Sequence, residues 1–261
     1  MKLDLILLLL MPIVSMFLSF ALKANLLLST LMFLGFPIIW LMFRNRNRRD
    51  MLGRVALFAF VLTAPLTVMV DYLLSFNQTW HLPVTVFPFR LFGHVAFEQF
   101  VWTFLFAYSI LLCREHFYPR DEDPQFTPRI VRLGLCLGMA LIVFLAIMIF
   151  KENWLKIPYT YAVVGLGFIV IPLALFMVLF SKFPLRFLPI AGYFFFQAIF
   201  FEYTGLELKQ WVFPGDEIIM WLPFFGHKLP LEELVYWFIM AAFTVQAYYE
   251  FPMKSKLQPS S

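Results

Sequence analysis

Acidic residues, histidines and tryptophans recur along this chain at a nearly constant spacing. Asp71, Trp80, Pro83, Gly93, His94, Glu98 and Trp102 are followed by Glu202, Trp211, Pro214, Gly226, His227, Glu232 and Trp237, at offsets of 131, 131, 131, 133, 133, 134 and 135. Anchoring on the tryptophans instead pairs Glu98 with Glu233. The carboxylates fall in or beside long apolar runs, where an acidic side chain costs about 2.5–3.5 kcal/mol at a bilayer centre and marks function by default. Positioned carboxyl groups give and take protons, and imidazoles at His94 and His227, which titrate near neutrality, suit a relay. Glu232 and Glu233 are neighbours, about 100° apart on a helix, so one can face a pocket while the other faces an adjoining helix.

The elements that carry these residues follow from composition. Of 261 residues, 62% are hydrophobic, 20% aromatic and only 14% charged, and the mean hydropathy is +0.82. Soluble chains carry about 45–50% apolar and about 25% charged residues, so a soluble globular domain is excluded. Apolar runs long enough to cross a bilayer are Leu3 to Leu22, Leu26 to Phe43, Leu52 to Phe76, Leu91 to Cys113, Leu133 to Phe150, Tyr159 to Phe180, Phe187 to Leu206 and Leu231 to Tyr249. Lipid offers no hydrogen bonds to a backbone, so each run is expected to be a helix. The expected fold is therefore an all-α integral membrane protein of about eight transmembrane helices.

The spaced motifs divide the chain into two tandem four-helix repeats, residues 1–125 and 126–261, forming one membrane-embedded unit. The charged stretch from Arg114 to Arg132 is the expected linker. Four spans per repeat is an even number, so the repeats share one orientation and relate through an axis along the membrane normal. After each repeat's third span comes Trp-x-x-Pro and then an apolar stretch too short to cross, Val84 to Phe89 and Ile218 to Phe225, expected to be interfacial or re-entrant. Pro230, just before the paired acids, suits a first helical position.

Sorting the 20 Lys and Arg by loop places 13 on the side of the termini and six opposite (Lys23, Arg90, Lys151, Lys156, Lys209, Lys228), with Arg54 inside a span. Both termini are thus expected in the cytoplasm, in a multi-pass protein of the cell inner membrane if the source is bacterial. Ser19-Phe20-Ala21 would serve as a signal cleavage site, but the first run is long for a signal core and Asp4 interrupts its basic start, so an uncleaved span is expected.

Other chemistries are not encoded. Cys113 and Cys136 lack the spacing of a zinc site, so no metal is expected. Gly165-Leu166-Gly167 lacks the third glycine of a dinucleotide loop, residues 231–250 hold no lysine for a retinal Schiff base, and no cofactor is expected. The net charge of +4 sits mostly at the ends of apolar runs, which points to lipid headgroups and not to nucleic acid. Asn77-Gln78-Thr79 is a glycosylation acceptor on the expected outer side.

The segment Phe224-Phe225-Gly226-His227-Lys228-Leu229-Pro230-Leu231-Glu232-Glu233-Leu234-Val235-Tyr236-Trp237, with Trp211 upstream, resembles the lycopene cyclase domain of the small membrane-integral carotenoid cyclases. Its hallmark is Pro-x-Glu-Glu, and the whole chain resembles the fused form with two homologous halves. The first half departs from the pattern with Ala96-Phe97-Glu98-Gln99. The resemblance implies a redox-neutral isomerisation that makes ionone-type rings on a linear carotenoid or another long prenyl chain. A carboxylic acid protonates the terminal alkene, an internal double bond closes the ring on the cation, and a base removes a proton. It implies a catalytic set of Glu232, Glu233, Glu98, Asp71 and Glu202, with the acid at Glu232 or Glu233. Substrate contacts are expected from His94, His227, Trp80, Trp211 and Trp237, with Trp80 and Trp211 also suited to anchor at the interface. The competing expectation is a proton-coupled transporter, or a protein that binds carotenoid or lipid on the same scaffold.

Overall fold

The computed structural model describes residues 2–119, 129–179, 185 and 187–251. The chain is mostly helical. Among the described residues, five helical stretches are by length and composition able to cross a membrane: Lys2–Ala21, Leu26–Arg44, Arg49–Phe76, Arg129–Leu155 and Thr160–Val178. We label the helices α1 (Lys2–Ala21), α2 (Leu26–Thr30), α3 (Phe36–Arg44), α4 (Arg49–Phe76), α5 (Phe97–Phe117), α6 (Arg129–Lys151), α7 (Thr160–Gly165), α8 (Ile171–Leu179), α9 (Phe187–Glu207) and α10 (Ala241–Glu250). The rods α2–α3 and α7–α8 are each continuous through a π-helical turn, Leu31–Gly35 and Leu166–Val170, and α10 continues the longer π segment Glu233–Met240.

The π turns follow from proline and from polar neighbours. Pro37 and Pro172 lie just past them, and a proline has no N–H for the carbonyl four residues earlier. For Pro37 that carbonyl belongs to Phe33, and Gln197 of α9 donates its side-chain N–H there instead. Ser15 of α1 donates to the neighbouring Met32 carbonyl at 2.9 Å. In the second π turn the Ile169 carbonyl accepts from the Thr244 hydroxyl at 3.4 Å. A displaced backbone group is tolerated in an apolar setting because a nearby helix supplies the missing partner.

Two hairpins join helices at one end of the bundle. β1 (Arg90–Leu91) pairs antiparallel with β2 (Val95–Ala96), and β3 (Trp221–Phe224) with β4 (His227–Pro230). Each turns on a Phe-Gly pair with positive φ, Phe92 at 53° and Gly93 at 77°, Phe225 at 46° and Gly226 at 88°, the backbone of a type I′ turn. The fold remains mostly helical around these two short hairpins, and the fourth rod starts at Phe97 and not at Leu91, because residues 90–96 are spent on the hairpin. Pro230 ends a strand instead of starting a helix. Apolarity alone does not separate these strands from the helices that follow. The short apolar stretches Val84 to Phe89 and Ile218 to Phe225 lead into or form these hairpins.

Residues paired by the sequence offsets share unusual geometry. Gln78 and Lys209 both have positive φ, as do the two Phe-Gly pairs. His81 and Val212, 131 residues apart, form an isolated antiparallel bridge, each N–H donating to the other's carbonyl at 2.9 Å. Packing crosses the chain: α1 lies on α9 and α6 on α4. The expected boundary at 125/126 falls outside the described residues. So do Arg120, Lys182, Arg186, Lys254 and Lys256 of the charge sorting.

At the end away from the hairpins, charged groups are gathered inside the bundle. Arg114, expected in a loop, lies within α5 with no exposed surface. Its guanidinium bonds Glu115 at 2.6 Å and Glu250 of α10, and it stacks over the Tyr249 ring. Glu115 and Glu250 are counterparts at an offset of 135. Nearby, Asp4 holds Arg44 at 2.8 Å and the Trp40 indole N–H at 3.1 Å. The outward face of the bundle is apolar, and the window of Arg129–Leu155 is only 11% buried against 61% for Arg49–Phe76, so α6 presents most of its circumference to the surroundings.

Candidate functional site

A cavity of about 150 Å³ lies between α4, α5, α9 and the helix that includes α10. Most of its wall is aliphatic and aromatic, and a few polar side chains converge on it, the usual composition of a small-molecule site. Asp71, Glu202 and Glu233 are there, with Trp80, Trp102, Trp211 and Trp237. Gln99, Thr63, Thr67, Thr103, Thr244 and Tyr248 supply the other polar atoms.

Each acid is placed by a different element. Asp71 sits one turn before the end of α4, and the Ala96 N–H of β2 donates to its Oδ2 at 3.2 Å. Its Oδ1 is buried with no hydrogen-bond partner. Glu202 sits in the last two turns of α9, where Oε1 accepts from the Trp211 indole N–H at 3.0 Å. This contact needs Gly205: a Cβ there would come within 2.0 Å of the Trp211 ring, so only glycine lets the indole lie against the helix. Glu233 opens the π segment and is buried, with Oε2 unpartnered.

Glu98 and Glu232 are turned to another task. Glu98 Oε1 accepts from the backbone N–H of Val86 and of Phe87, the latter at 3.1 Å. Glu232 Oε1 accepts from the N–H of Ile219 at 2.7 Å. Both carboxylates are buried, and neither lines the cavity. They tie down the extended segments that precede the hairpins, where a strand without a partner would leave its amides bare. Val86 and Ile219 are 133 residues apart, and Glu98 and Glu232 are 134 apart. The pairing left open by sequence is thereby settled for these residues: Glu98 matches Glu232, and Gln99 matches Glu233.

The last step of the drift, from 134 to 135, also has a physical origin. Between Glu232 and Trp237 the helix takes the π form, which accommodates one extra residue per turn. Trp237 stays beside Trp102 as a result, with ring centroids 5.6 Å apart and planes at 75°.

The two histidines lie outside the cavity. His94 Nδ1 is 3.5 Å from the Ser75 hydroxyl, and its ring meets Tyr72 edge-on at 4.9 Å. Burial holds its imidazole below the usual value, opposed by Glu152 and helped by Arg90. His227 Nε2 is 3.2 Å from Glu207 Oε1 in a shallow surface pocket near Lys209 and Lys228. Arg90 braces the first hairpin by donating to the Leu82 carbonyl at 2.5 Å.

Gln99, Trp102 and the threonines were not among the expected site residues. Trp102 stood in the recurring series, and Gln99 follows Glu98 as Glu233 follows Glu232, so both had a signal in the spacing. The threonines had none. Thr63 and Thr67 return their hydroxyls to the carbonyls of Ala59 and Thr63, both at 2.7 Å, and Thr67 meets Thr103 at 2.6 Å. No protein-family model, curated protein or solved structure matches this chain.

Proposed function

We propose that the protein is a membrane-embedded, redox-neutral isomerase that closes a ring on the end of a linear carotenoid. The observation that carries this reading is Glu233: a buried carboxyl with a free oxygen in an apolar cavity walled by four tryptophans and shared with two further acids. The resemblance of residues 224–237 to the lycopene cyclase domain supports it.

In this reading Glu233 delivers its proton to the terminal alkene, and the electron pair of that double bond forms the new C–H bond. The tertiary cation that results is attacked by an internal double bond, which closes the six-membered ring and moves the positive charge into it. Asp71, whose Oδ1 has no partner, takes a ring proton, and the released pair becomes the ring double bond. One proton enters and one leaves, so no oxidant or reductant is consumed. Glu202 positions Trp211, and the ring faces at Trp102, Trp211 and Trp237 stabilise the cation, by about 2 kcal/mol or more where water is excluded. A lycopene-accumulating host expressing the chain is expected to form cyclic carotenes. Unchanged lycopene together with proton-dependent uptake of a solute into sealed vesicles would assign the cavity to transport.

The reading includes a topology. All eight helical rods cross the bilayer as two four-helix repeats, and their pseudo-two-fold axis lies along the membrane normal. Support comes from counterparts that meet: His81 with Val212 at the hairpin end, Trp102 with Trp237 at the cavity, and Glu115 with Glu250 joined through Arg114 at the other end. An antiparallel bridge between equivalent residues is what a two-fold axis produces. With 13 of 20 basic residues on the side of the termini, a reporter fused after Ser261 is expected to stay in the cytoplasm, and an exported reporter would reverse the orientation.

A further inference from the structure

We infer that position 99 is the counterpart of the Glu233 acid site, built to the same plan and closed in this chain by an amide, so that of these two positions one presents a carboxyl and the other an amide. The inference rests on the cyclase reading for its chemistry but not for its geometry.

The register is fixed by backbone hydrogen bonds and not by side-chain similarity. Glu98 accepts from the amides of Val86 and Phe87, and Glu232 accepts from the amide of Ile219. The residue after each therefore leaves its helix in the same direction relative to its own hairpin, and both of these residues, Gln99 and Glu233, line the one cavity. Around them the walls are doubled: Asp71 with Glu202, Trp80 with Trp211, Trp102 with Trp237. Among these counterparts only the pair at positions 99 and 233 joins an acid to a group that cannot deliver a proton. Glutamine and glutamate have the same size and shape, so the wall at position 99 already has room for a carboxyl group. Gln99 thus decides from which side the substrate receives its proton, and it keeps a fourth carboxyl out of a chamber that already holds Asp71, Glu202 and Glu233, where like charges would oppose each other.

The test moves the acid across the axis. Glu233→Gln, Gln99→Glu and the double variant Gln99→Glu/Glu233→Gln are prepared as full-length chains in lipid vesicles. Each is treated with dicyclohexylcarbodiimide, an apolar reagent that labels protonated carboxyl groups away from water, and the adducts are located by peptide mass spectrometry. The wild type is expected to carry the label at position 233, Glu233→Gln to lose it, and the double variant to carry it at position 99. In a lycopene-accumulating host the double variant is expected to regain at least about tenfold of the conversion lost in Glu233→Gln, part of the ~10²–10⁴-fold that a positioned acid contributes.

A double variant that folds as Glu233→Gln does, by size exclusion and thermal unfolding in detergent, but takes no label at position 99 and regains no conversion would overturn the inference. So would a double variant that fails to fold where Glu233→Gln folds, because a wall shaped for an acid tolerates one. A label that moves to position 99 while neither the wild type nor the double variant forms cyclic product supports the two-walled cavity and removes the cyclase reading, so the two failures are distinguishable.

Discussion

Under the proposed cyclase activity, Glu233→Gln is expected to lower cyclic carotene formation by about 10²–10⁴-fold, the contribution of a positioned general acid, while Glu232→Gln keeps most of the activity. The two residues are neighbours and chemically identical, so the contrast is set by surroundings alone. Glu232 accepts a hydrogen bond from the Ile219 amide, and the carbonyl oxygen of a glutamine accepts the same bond. Glu233 lines the cavity with an unpartnered oxygen, and its glutamine variant fills the space but has no proton to give. Conversion of lycopene in membranes of matched protein content measures both. Glu232→Ala separates the roles further, because it leaves the Ile219 amide without its acceptor, at about 1–3 kcal/mol for a buried donor, and so should act through stability. Equal losses for Glu232→Gln and Glu233→Gln would remove the division of labour between them.

Arg114→Ala is expected to destabilise the protein by about 3–5 kcal/mol, the range for breaking a buried ionic group by removing one partner. The arginine is fully buried and joins Glu115 of α5 to Glu250 of α10, so its loss removes the cation that links these two buried carboxylates, with Arg48 still 3.9 Å from Glu115. Thermal unfolding in detergent should show a large downward shift for Arg114→Ala. Adding Glu115→Gln and Glu250→Gln to Arg114→Ala should recover part of it, since the triple variant no longer buries the two carboxylates that Arg114 joined. If the triple variant were no more stable than Arg114→Ala, the cost would lie in lost packing against Tyr249 and not in charge.

The apolar runs were legible because their cause is local and one-dimensional. A stretch such as Arg129–Lys151 has one stable backbone in lipid whatever surrounds it, and its apolar sequence already says so. The recurring motifs were legible for a similar reason: spacing survives in the sequence even where the pairs lie far apart in space. The hairpins were not, since Leu91 and Val95 are as apolar as a span, and only the positive φ of Phe92 and Gly93 turns the chain back.

The site divided along the same line. Sequence alone determined that acids, tryptophans and a Gly-His pair occur twice in a membrane-spanning chain, and it nominated the acids. Tertiary structure decided what each of them does. Glu98 and Glu232 are consumed by backbone amides of the segments that precede their own hairpins, and His94 and His227 pack outside the cavity. Asp71, Glu202 and Glu233 reach one chamber, because α4, α9 and the π segment converge there. The same holds for Arg114, which by sequence reads as one more positive charge at the end of a span, and which folding carries into the interior to meet Glu250, 136 residues away. Residue type and spacing specify which groups are available, but a hydrogen bond or a cavity wall depends on which distant segment arrives beside them, and that is a property of the packed bundle.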